Sequence, residues 1–482
     1  MAGIGHYAAA TPDAAALVTL ARTLTFAELD ERQRALAGFL QSGGLEPGDR
    51  VAVLSRNRIE SLEATIGMLR AAIIPVPVNP LLTEPEIAYV IEDSRTRWLL
   101  TDRSIQHPGL ERVVTFGDAY ERCLSEASPT ALASCARGRP MHYTSGTTGS
   151  SKGVWVPPVD ERRAAELSTD FVEQWGLAPG DVHIVCSPLA HSAPHRFAMR
   201  TLEAGGTVVL QTKFDAQETL AGVELFSVTS TFMVPTHLER IFSLPRSVLT
   251  RYDTSSIRLL VHAGAPIRNV TKRRALEHFP PGSVWEFYGA TEGQATRISS
   301  DEWVRKPGSV GSPRAGAAIL ILDDDGTELP AGEVGEVWIR DPAVERFRYW
   351  NDDAKTRAAW RGDAFTVGDL GWVDDDGYLF LHGRKHDTII TGGVNVYPQE
   401  VESVLLTHPA VAEVVVFGVP HDEWGQEVRA EVVAAPNLPL DGELLRTWAR
   451  ERLAAFKCPR VIEVVDELPR TATGKIKRPQ AD

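Results

Sequence analysis

Residues 142–154, HYTSGTTGSSKGV, bring together hydroxyl side chains, glycines and one lysine. Glycines let backbone N–H groups approach a ligand closely, hydroxyls add hydrogen-bond donors, and Lys152 adds a positive charge, so the segment suits a polyphosphate. It is not a Walker loop, because Lys152 follows Ser151 and precedes Gly153 instead of following Gly and preceding Ser or Thr. The residues predicted to hold phosphate are Thr144, Ser145, Gly146, Thr147, Thr148, Gly149 and Lys152.

Composition and charge exclude several classes of protein. A chain of 482 residues, 43% of them hydrophobic, is too long for one core and predicts two or more domains. The formal net charge of −14 argues against nucleic acid or an anionic membrane surface as the main partner. Four scattered cysteines without a CxxC pair predict reduced thiols and no structural zinc. With no signal-peptide pattern and no apolar run of about 18 residues, we expect a cytoplasmic protein without stable membrane insertion.

The elements that must position the phosphate segment follow a clear rhythm. Over the first three-quarters of the chain, short β-branched runs such as RVAVLS at 50–55 alternate with helical patterns, which predicts parallel sheets covered by helices. From about Gly308, strands are joined by acidic Gly turns, which predicts hairpins in a small barrel or antiparallel sheet. After Asp387 the pattern restarts as a compact α+β unit of about 100 residues.

Four more motifs stand in order along the chain: YGATE at 288–292, TVGDLGWVDDDGYLFLHGRKHD at 366–387, TGGVNVYPQEVE at 391–402 and PRTATGKIKR at 469–478. With the phosphate segment they resemble the acyl-adenylate-forming superfamily, which includes acyl-CoA synthetases, nonribosomal adenylation domains and beetle luciferases. The resemblance spans most of the chain. It implies an α/β fold with a large N-terminal domain, residues 1–385, of two doubly wound subdomains plus a distorted β-barrel. A small mobile α+β C-terminal domain, residues 386–482, would follow.

The resemblance implies an enzyme that uses ATP and Mg²⁺ to convert a small-molecule carboxylic acid into an acyl-adenylate, with release of pyrophosphate. Charge must then be neutralised on both sides of the α-phosphate. Glu292 resembles the carboxylate that coordinates Mg²⁺, a cation that prefers oxygen ligands, and Thr291 would touch the α-phosphate. Lys475 resembles the lysine that bridges the substrate carboxylate and the α-phosphate.

The same resemblance assigns residues to the nucleoside. Tyr288 would stack beside adenine, and Gly264 and Ala265 in HAGAP would line the adenine and acyl sites, where their small size leaves room for a flat ring. Asp369 and Arg384 resemble the carboxylate and guanidinium that hydrogen-bond the ribose hydroxyls.

The acyl site is less specified. His191 in PLAH matches the aromatic or histidine gate of the family. Further wall candidates by position are Met233, Val234, Thr236, Gly264 and Gly289. If the side chains of His195 and Arg196 turn inward, they favour a short, aromatic or polar acid; if they turn outward, they indicate nothing about the substrate. No Asp occupies an evident position for recognising an α-amino group, which disfavours amino-acid adenylation.

The acceptor of the acyl group is where members of the family diverge. CoA is favoured, with Gly392 and Gly393 allowing close passage of its pantetheine arm, although a carrier-protein thiol would fit the same tunnel. His386 matches the position of the family's hinge residue. Two alternatives stay open: a specialised reaction such as nitrogen–nitrogen bond formation from nitrite, and a catalytically silent nucleotide-binding protein. The catalytically silent alternative is disfavoured because the chain has all of the residues that the resemblance assigns to catalysis and nucleotide binding: Lys152, Glu292, Asp369, Arg384 and Lys475.

Overall fold

The chain divides into two compact units, of which the first comprises Met1–Gly316 and Asp341–Arg361 and the second Ala317–Arg340 and Gly362–Asp482. The predicted functional boundary between residues 385 and 386 stays a prediction. The structure is a computed structural model that describes residues 3–144, 151–391, 394–421, 424–470 and 476–479.

The strands of the described residues follow in chain order: β1 (Ala15–Val18), β2 (Thr23–Thr25), β3 (Arg50–Leu54), β4 (Ile74–Val78), β5 (Trp98–Thr101), β6 (Arg112–Thr115), β7 (His142–Thr144), β8 (Lys152–Trp155), β9 (Val182–Val185), β10 (Thr207–Leu210), β11 (Ser230–Met233), β12 (Leu259–His262), β13 (Val284–Gly289), β14 (Gln294–Ile298), β15 (Ala318–Leu322), β16 (Gly335–Arg340), β17 (Arg348–Tyr349), β18 (Trp360–Arg361), β19 (Ala364–Val373), β20 (Leu379–Arg384), β21 (Ile389–Thr391), β22 (Val394–Val396), β23 (Val411–His421), β24 (Gly425–Ala434) and β25 (Val461–Val465).

The α-helices of the same residues are α1 (Ile4–Ala10), α2 (Phe26–Ser42), α3 (Ile59–Arg70), α4 (Glu84–Asp93), α5 (Asp118–Ser125), α6 (Glu161–Trp175), α7 (Ser192–Glu203), α8 (Ala216–Leu225), α9 (Pro235–Phe242), α10 (Arg246–Leu249), α11 (Asn269–His278), α12 (Ser300–Arg305), α13 (Asp353–Ala358), α14 (Pro398–Leu405) and α15 (Gly442–Arg450). None of these helices, within the described ranges, is long and apolar enough to cross a lipid bilayer.

The first unit is built on a sheet with the strand order β14–β13–β12–β11–β9–β10–β1–β2. The strands from β13 to β1 run parallel, and the edge strands β14 and β2 are antiparallel to their neighbours. Both faces of this sheet are buried, since Leu259 and Val261 of β12 pack with Phe197 of α7 while Leu260 packs with Leu238 of α9. Burial on both faces explains why β12 is an unbroken apolar run instead of an alternating one.

A second parallel sheet of the first unit has the order β4–β3–β5–β6. Its central strand β3 is the RVAVLS run, and the following α3 is buried along almost its whole length. The predicted alternation of strands and helices is therefore confirmed for both halves of the first unit. A small antiparallel sheet, β17–β8–β7, carries the two ends of the phosphate segment.

The second unit is mainly antiparallel. Strands β15, β16, β19 and β20 pair in sequence as the predicted hairpins, in the region expected to form the distorted barrel. A further sheet has the order β22–β21–β24–β23, with β25 parallel to β24. Residues of α14 and α15 pack on this sheet around Val401, Val416 and Leu445. The predicted fold class, a large α/β portion followed by a small α+β portion, is confirmed.

Candidate active site

The phosphate segment begins and ends on paired strands. Thr144, the last residue of β7, lies opposite Lys152, the first residue of β8, in an antiparallel ladder. Both side chains are half-buried. The residues between them, Ser145, Gly146, Thr147, Thr148 and Gly149, lie outside the described residues.

The ammonium group of Lys152 stands among other charged and aromatic side chains. Its Nζ lies 5.2 Å from the centre of the Tyr349 ring, and the Lys355 ammonium is close enough to act on it. Burial, followed by Lys355, lowers the pKa of Lys152 to about 8, and the carboxylates of Glu292 and Asp352 offset part of that shift. Lys355 also pairs with Asp352 at 3.8 Å, yet the two neighbouring ammonium groups still suit the binding of a polyanion.

Glu292 is a buried carboxylate held in one orientation. Its Oε1 accepts a hydrogen bond of 2.7 Å from the Tyr349 hydroxyl, and its Oε2 accepts none from the described residues. Among those residues, no group of three or more His, Cys, Asp or Glu side chains could hold a metal ion. A single free carboxylate oxygen fits Mg²⁺ that arrives with ATP, because phosphate oxygens and water complete the shell of such an ion.

Tyr349 connects the phosphate segment to Glu292. Strand β17 pairs with β8, with Tyr349 opposite Val154, so the Tyr349 ring lies beside Lys152 and its hydroxyl reaches Glu292. The neighbouring Thr291 is fixed through its carbonyl, which accepts a 3.2 Å hydrogen bond from Arg139. Sequence reasoning missed Tyr349, Lys355 and Arg139, because none of them belongs to a motif.

The other predicted site residues of the first unit lie at one edge of the large sheet. Strands β11, β12 and β13 are parallel neighbours, so their carboxyl ends lie side by side, where ligands of open α/β sheets bind. The predicted residues at or just after these ends are Met233, Val234, Thr236, Gly264, Ala265, Tyr288, Gly289, Thr291 and Glu292. His191 follows the adjacent strand β9 as the N-cap residue of α7.

Local geometry explains two glycines at this edge. Gly264 has a φ of +91°, a conformation that L side chains rarely adopt. A Cβ at Gly289 would lie 2.7 Å from the carbonyl oxygen of Gly293, so a side chain there would displace the turn that carries Glu292. Met233, in contrast, packs into the core with Leu238.

A buried ionic cluster fixes the ends of β12 and β13. Lys272 of α11 contacts His262 and lies 3.2 Å from Glu286 Oε2. Burial lowers the pKa of Lys272 and of His262 and raises the pKa of Glu286. Breaking such a cluster leaves an uncompensated buried charge, so it holds the two strand ends that precede Gly264 and Tyr288. It too was missed, since its members lie far apart in the sequence.

The inward orientation of His195 and Arg196 is the one that the structure shows. His195 is 2% exposed, and burial lowers its pKa to about 3, so it is neutral at physiological pH. Arg196 lines a cavity of about 110 Å³ whose wall also includes Gly293 and Gln294, the residues that follow Glu292. Both side chains therefore lie inside the first unit, and their effect on the choice of substrate stays a prediction.

The second unit holds the predicted ribose and hinge residues. Asp369 and Arg384 lie opposite each other on β19 and β20, with Arg384 Nε 3.3 Å from Asp369 Oδ1. His386 is exposed in a short 3₁₀ helix, Lys385–Asp387, and its Nε2 lies 3.3 Å from Asp387 Oδ1. The predicted residues Gly392, Gly393 and Lys475 lie outside the described residues.

The lowered pKa of Lys152 predicts how Mg·ATP binding depends on pH. The charged ammonium binds the polyphosphate. The affinity for Mg·ATP is therefore highest below about pH 7 and falls as the pH rises through about 8, where Lys152 loses its proton. Lys152→Arg should remove this loss, because a guanidinium stays charged throughout the range. Calorimetric titration of both proteins between about pH 7 and pH 9.5 checks it, and superimposable profiles would show that Lys152 does not carry the effect.

Family models match both parts of the chain. Residues 5–350 match the AMP-binding enzyme family, and residues 400–475 match the AMP-binding enzyme C-terminal domain. The chain is 32% identical to the fatty acid–[acyl-carrier-protein] ligase ScoC of Streptomyces coeruleorubidus, over 97% of this chain and 92% of that protein. It is 33% identical to the 2-succinylbenzoate–CoA ligase of Bacillus licheniformis, over 97% of this chain and 96% of that protein.

A solved structure agrees over nearly the whole length. The o-succinylbenzoate CoA synthetase (MenE) from Bacillus subtilis, in complex with its acyl-adenylate intermediate OSB-AMP, has a TM-score of 0.86 and 30% identity, covering 98% of this chain and 96% of that one. The same enzyme has also been solved with ATP and a magnesium ion. The five ordered motifs, both family models and this agreement in fold lead to one conclusion: the chain belongs to the family of AMP-binding enzymes.

Proposed function

We propose that this protein is an AMP-forming acid–thiol ligase. It activates a carboxylic acid with ATP to an acyl-adenylate, releases pyrophosphate and transfers the acyl group to CoA. The observation that carries the proposal is the position of Lys152, which lies close to Lys355 and beside the ring of Tyr349, whose hydroxyl holds the buried carboxylate of Glu292. Cations for a leaving polyphosphate and a carboxylate for its metal ion are the two electrostatic elements that this chemistry requires.

In the first step, a carboxylate oxygen of the acid attacks the α-phosphorus of ATP, and the bond to the β-phosphate oxygen breaks. Lys152 and Lys355 stabilise the negative charge that develops on the departing pyrophosphate. Glu292 would hold the Mg²⁺ that arrives with ATP, and this ion would supply electrostatic stabilisation of the phosphate oxygens. Arg139 holds the Thr291 carbonyl and so positions the Thr291 hydroxyl for the α-phosphate.

In the second step, the CoA thiol sulfur attacks the acyl carbon and loses its proton, and AMP leaves with the bonding electron pair.

The proposed roles of the remaining residues rest on the resemblance: Asp369 and Arg384 bind ribose, Lys475 supports adenylation, Gly392 and Gly393 admit pantetheine, and His386 is the hinge at a functional boundary between residues 385 and 386. His191 and the strand-end residues Met233, Val234, Thr236 and Gly289 would border the acyl group.

CoA is the favoured acceptor because the 2-succinylbenzoate relative is named a CoA ligase. The ScoC relative is named for an acyl-carrier protein, which is the alternative acceptor.

We also propose a cytoplasmic location. All four cysteines, Cys123, Cys135, Cys186 and Cys458, are free thiols among the described residues, as expected in a reducing compartment.

The proposal is tested by ATP–pyrophosphate exchange against a panel of carboxylic acids, first without CoA and then with it. We expect acid-dependent exchange without CoA and a thioester with stoichiometric AMP when CoA is present. Exchange without a thioester, together with acyl transfer to a carrier protein, would replace CoA by that acceptor. No exchange with any acid, in a protein that binds Mg·ATP, would contradict the proposed function.

A further inference from the structure

The cavity of about 110 Å³ in the first unit has an unusual charge distribution. Five arginines line it against three carboxylates, and apolar side chains such as Phe171 and Met199 complete its wall. The charged residues of this wall are Arg139, Arg196, Arg200, Arg297, Arg314, Asp170, Asp341 and Glu345.

Each of the three carboxylates already pairs with an arginine. Arg314 binds Asp170 and Asp341 at 2.6 Å each, through two different guanidinium nitrogens. Glu345 accepts a 2.6 Å hydrogen bond from Arg163, which lies outside the cavity wall. Each carboxylate therefore already has a guanidinium partner, and Glu345, together with Glu292, only partly offsets the lowering of the Arg139 pKa that burial causes.

Two of the remaining arginines have their own partners. Arg297 donates to the backbone carbonyl of Gln174, and Arg200 pairs with Glu203. Even so, the Nε of Arg200, a residue 7% exposed, has no hydrogen-bond partner among the described residues.

Arg139 and Arg196 line the cavity, and neither forms an ion pair at contact distance with the described residues. Within the described residues, Arg139 donates only to the carbonyl of Thr291, and Arg196 makes no hydrogen bond or ion pair. Burial, with Arg139 and Arg200 nearby, lowers the pKa of Arg196 to about 9. An uncompensated, partly buried cation is costly, so its position beside a cavity points to a ligand that pairs with it.

The position of these arginines identifies which ligand. Arg139 and Arg196 also line a smaller adjoining cavity together with Ser192, His195 and Thr291, and His195 Nε2 is buried there without a partner among the described residues. Thr291 is the proposed contact of the α-phosphate, where the reacting carboxylate must lie. A group bound by the two arginines would therefore be a second part of the same acid, a short distance from its reacting end.

We propose that Arg139 and Arg196 bind a second carboxylate of the substrate, so that the enzyme prefers short dicarboxylic acids. The inference rests on the proposed acid-activating function and names its substrate class. Guanidinium groups match a carboxylate through paired hydrogen bonds. A cavity of about 110 Å³ holds a carboxylate and a short linker, since one water needs about 10–15 Å³ of such space, and it excludes a long alkyl chain.

The test compares each dicarboxylic acid with its monoamide, which has the same number of non-hydrogen atoms but one charge fewer. Pairs such as succinate with succinamate, glutarate with glutaramate and phthalate with phthalamate are supplied in ATP–pyrophosphate exchange without CoA. For the pair that gives exchange, we expect kcat/KM for the diacid to exceed that for the monoamide about 100-fold, because a site built for a polar group strongly rejects an analogue that lacks it.

Arg196→Gln should reduce this diacid-to-monoamide ratio at least about 30-fold, since it removes one member of a desolvated charge pair. The matched control is Arg162→Gln, which changes an exposed arginine of α6 that pairs with Glu166 and should leave the ratio unchanged. Thermal unfolding verifies that both variants are folded, and if Arg196→Gln does not fold, the ratio of the wild-type protein alone decides.

The outcomes separate the inference from the function beneath it. Two results would overturn the second-carboxylate site and leave the proposed acid-activating function standing. One is exchange with monocarboxylic acids and a diacid-to-monoamide ratio near one in the wild-type protein. The other is a high ratio that Arg196→Gln does not change. Inhibition of exchange by inorganic phosphate that disappears in Arg196→Gln, with no preference for diacids, would assign the arginines to a free phosphate instead. If no acid supports exchange, the proposed acid-activating function itself would be contradicted.

Discussion

Glu292→Gln lowers the rate of ATP–pyrophosphate exchange by about 10²–10³-fold and raises the Mg²⁺ concentration needed for half-maximal rate. The reason is the loss of a charged ligand: a neutral amide binds a hard cation less well than a carboxylate does. The fold should persist, because the amide oxygen can still accept the hydrogen bond that the Tyr349 hydroxyl donates at 2.7 Å in the native protein. A Mg²⁺ titration of exchange in both proteins measures the effect.

Tyr349→Phe is the matched control for this prediction. It removes the hydroxyl that orients Glu292 and keeps both the carboxylate and the ring beside Lys152. Loss of one hydrogen bond to a charged group should cost about tenfold in rate, well below the effect of Glu292→Gln. If Glu292→Gln kept the native rate and metal dependence, Glu292 would be a structural residue whose only role is to accept that hydrogen bond.

Lys475→Ala should separate the two half-reactions. We expect adenylate formation to fall about 10²–10³-fold, because a charge placed where negative charge develops is lost, while transfer from a supplied acyl-adenylate to CoA keeps most of its rate. Pyrophosphate exchange measures the first half-reaction, and thioester formation from synthetic acyl-adenylate measures the second.

Two further variants control this separation. Lys477→Ala removes a neighbouring lysine with no assigned role and should leave both half-reactions intact. Gly393→Leu should show the converse pattern, with exchange preserved and thioester formation blocked, because a large side chain would obstruct the proposed pantetheine passage. Equal losses of both half-reactions in Lys475→Ala would exclude its assignment to the first step alone.

Much of the fold could be predicted because local patterns reflect burial. The RVAVLS run predicted a strand, and its first five residues form β3, in which all but Arg50 are buried. The acidic Gly turn after Leu322 predicted a hairpin, and β15 and β16 pair across it. In both cases, the apolar pattern or the turn chemistry is local in the sequence, where such patterns are informative.

The site could be predicted only where motifs carry it. Glu292 and Lys152 stand in recognisable segments, but Tyr349 is 57 positions from the Glu292 that it orients, and no spacing rule connects them. Lys355 meets Lys152 only because β17 pairs with β8 and α13 follows directly. Arg196 was a candidate whose direction depended on how α7 packs, which is a tertiary property. Long-range pairing, and not local propensity, decides these positions.

The central claim is that a carboxylate of the acid attacks the α-phosphorus of ATP. The most direct measurement uses the acid that supports the fastest exchange, labelled with ¹⁸O in both carboxyl oxygens, with ATP, Mg²⁺ and CoA. Acyl transfer from an adenylate breaks the bond between the acyl carbon and the bridging oxygen, so we predict AMP carrying one ¹⁸O in its phosphate by mass spectrometry. Unlabelled AMP, or ADP with ¹⁸O in inorganic phosphate, would contradict it.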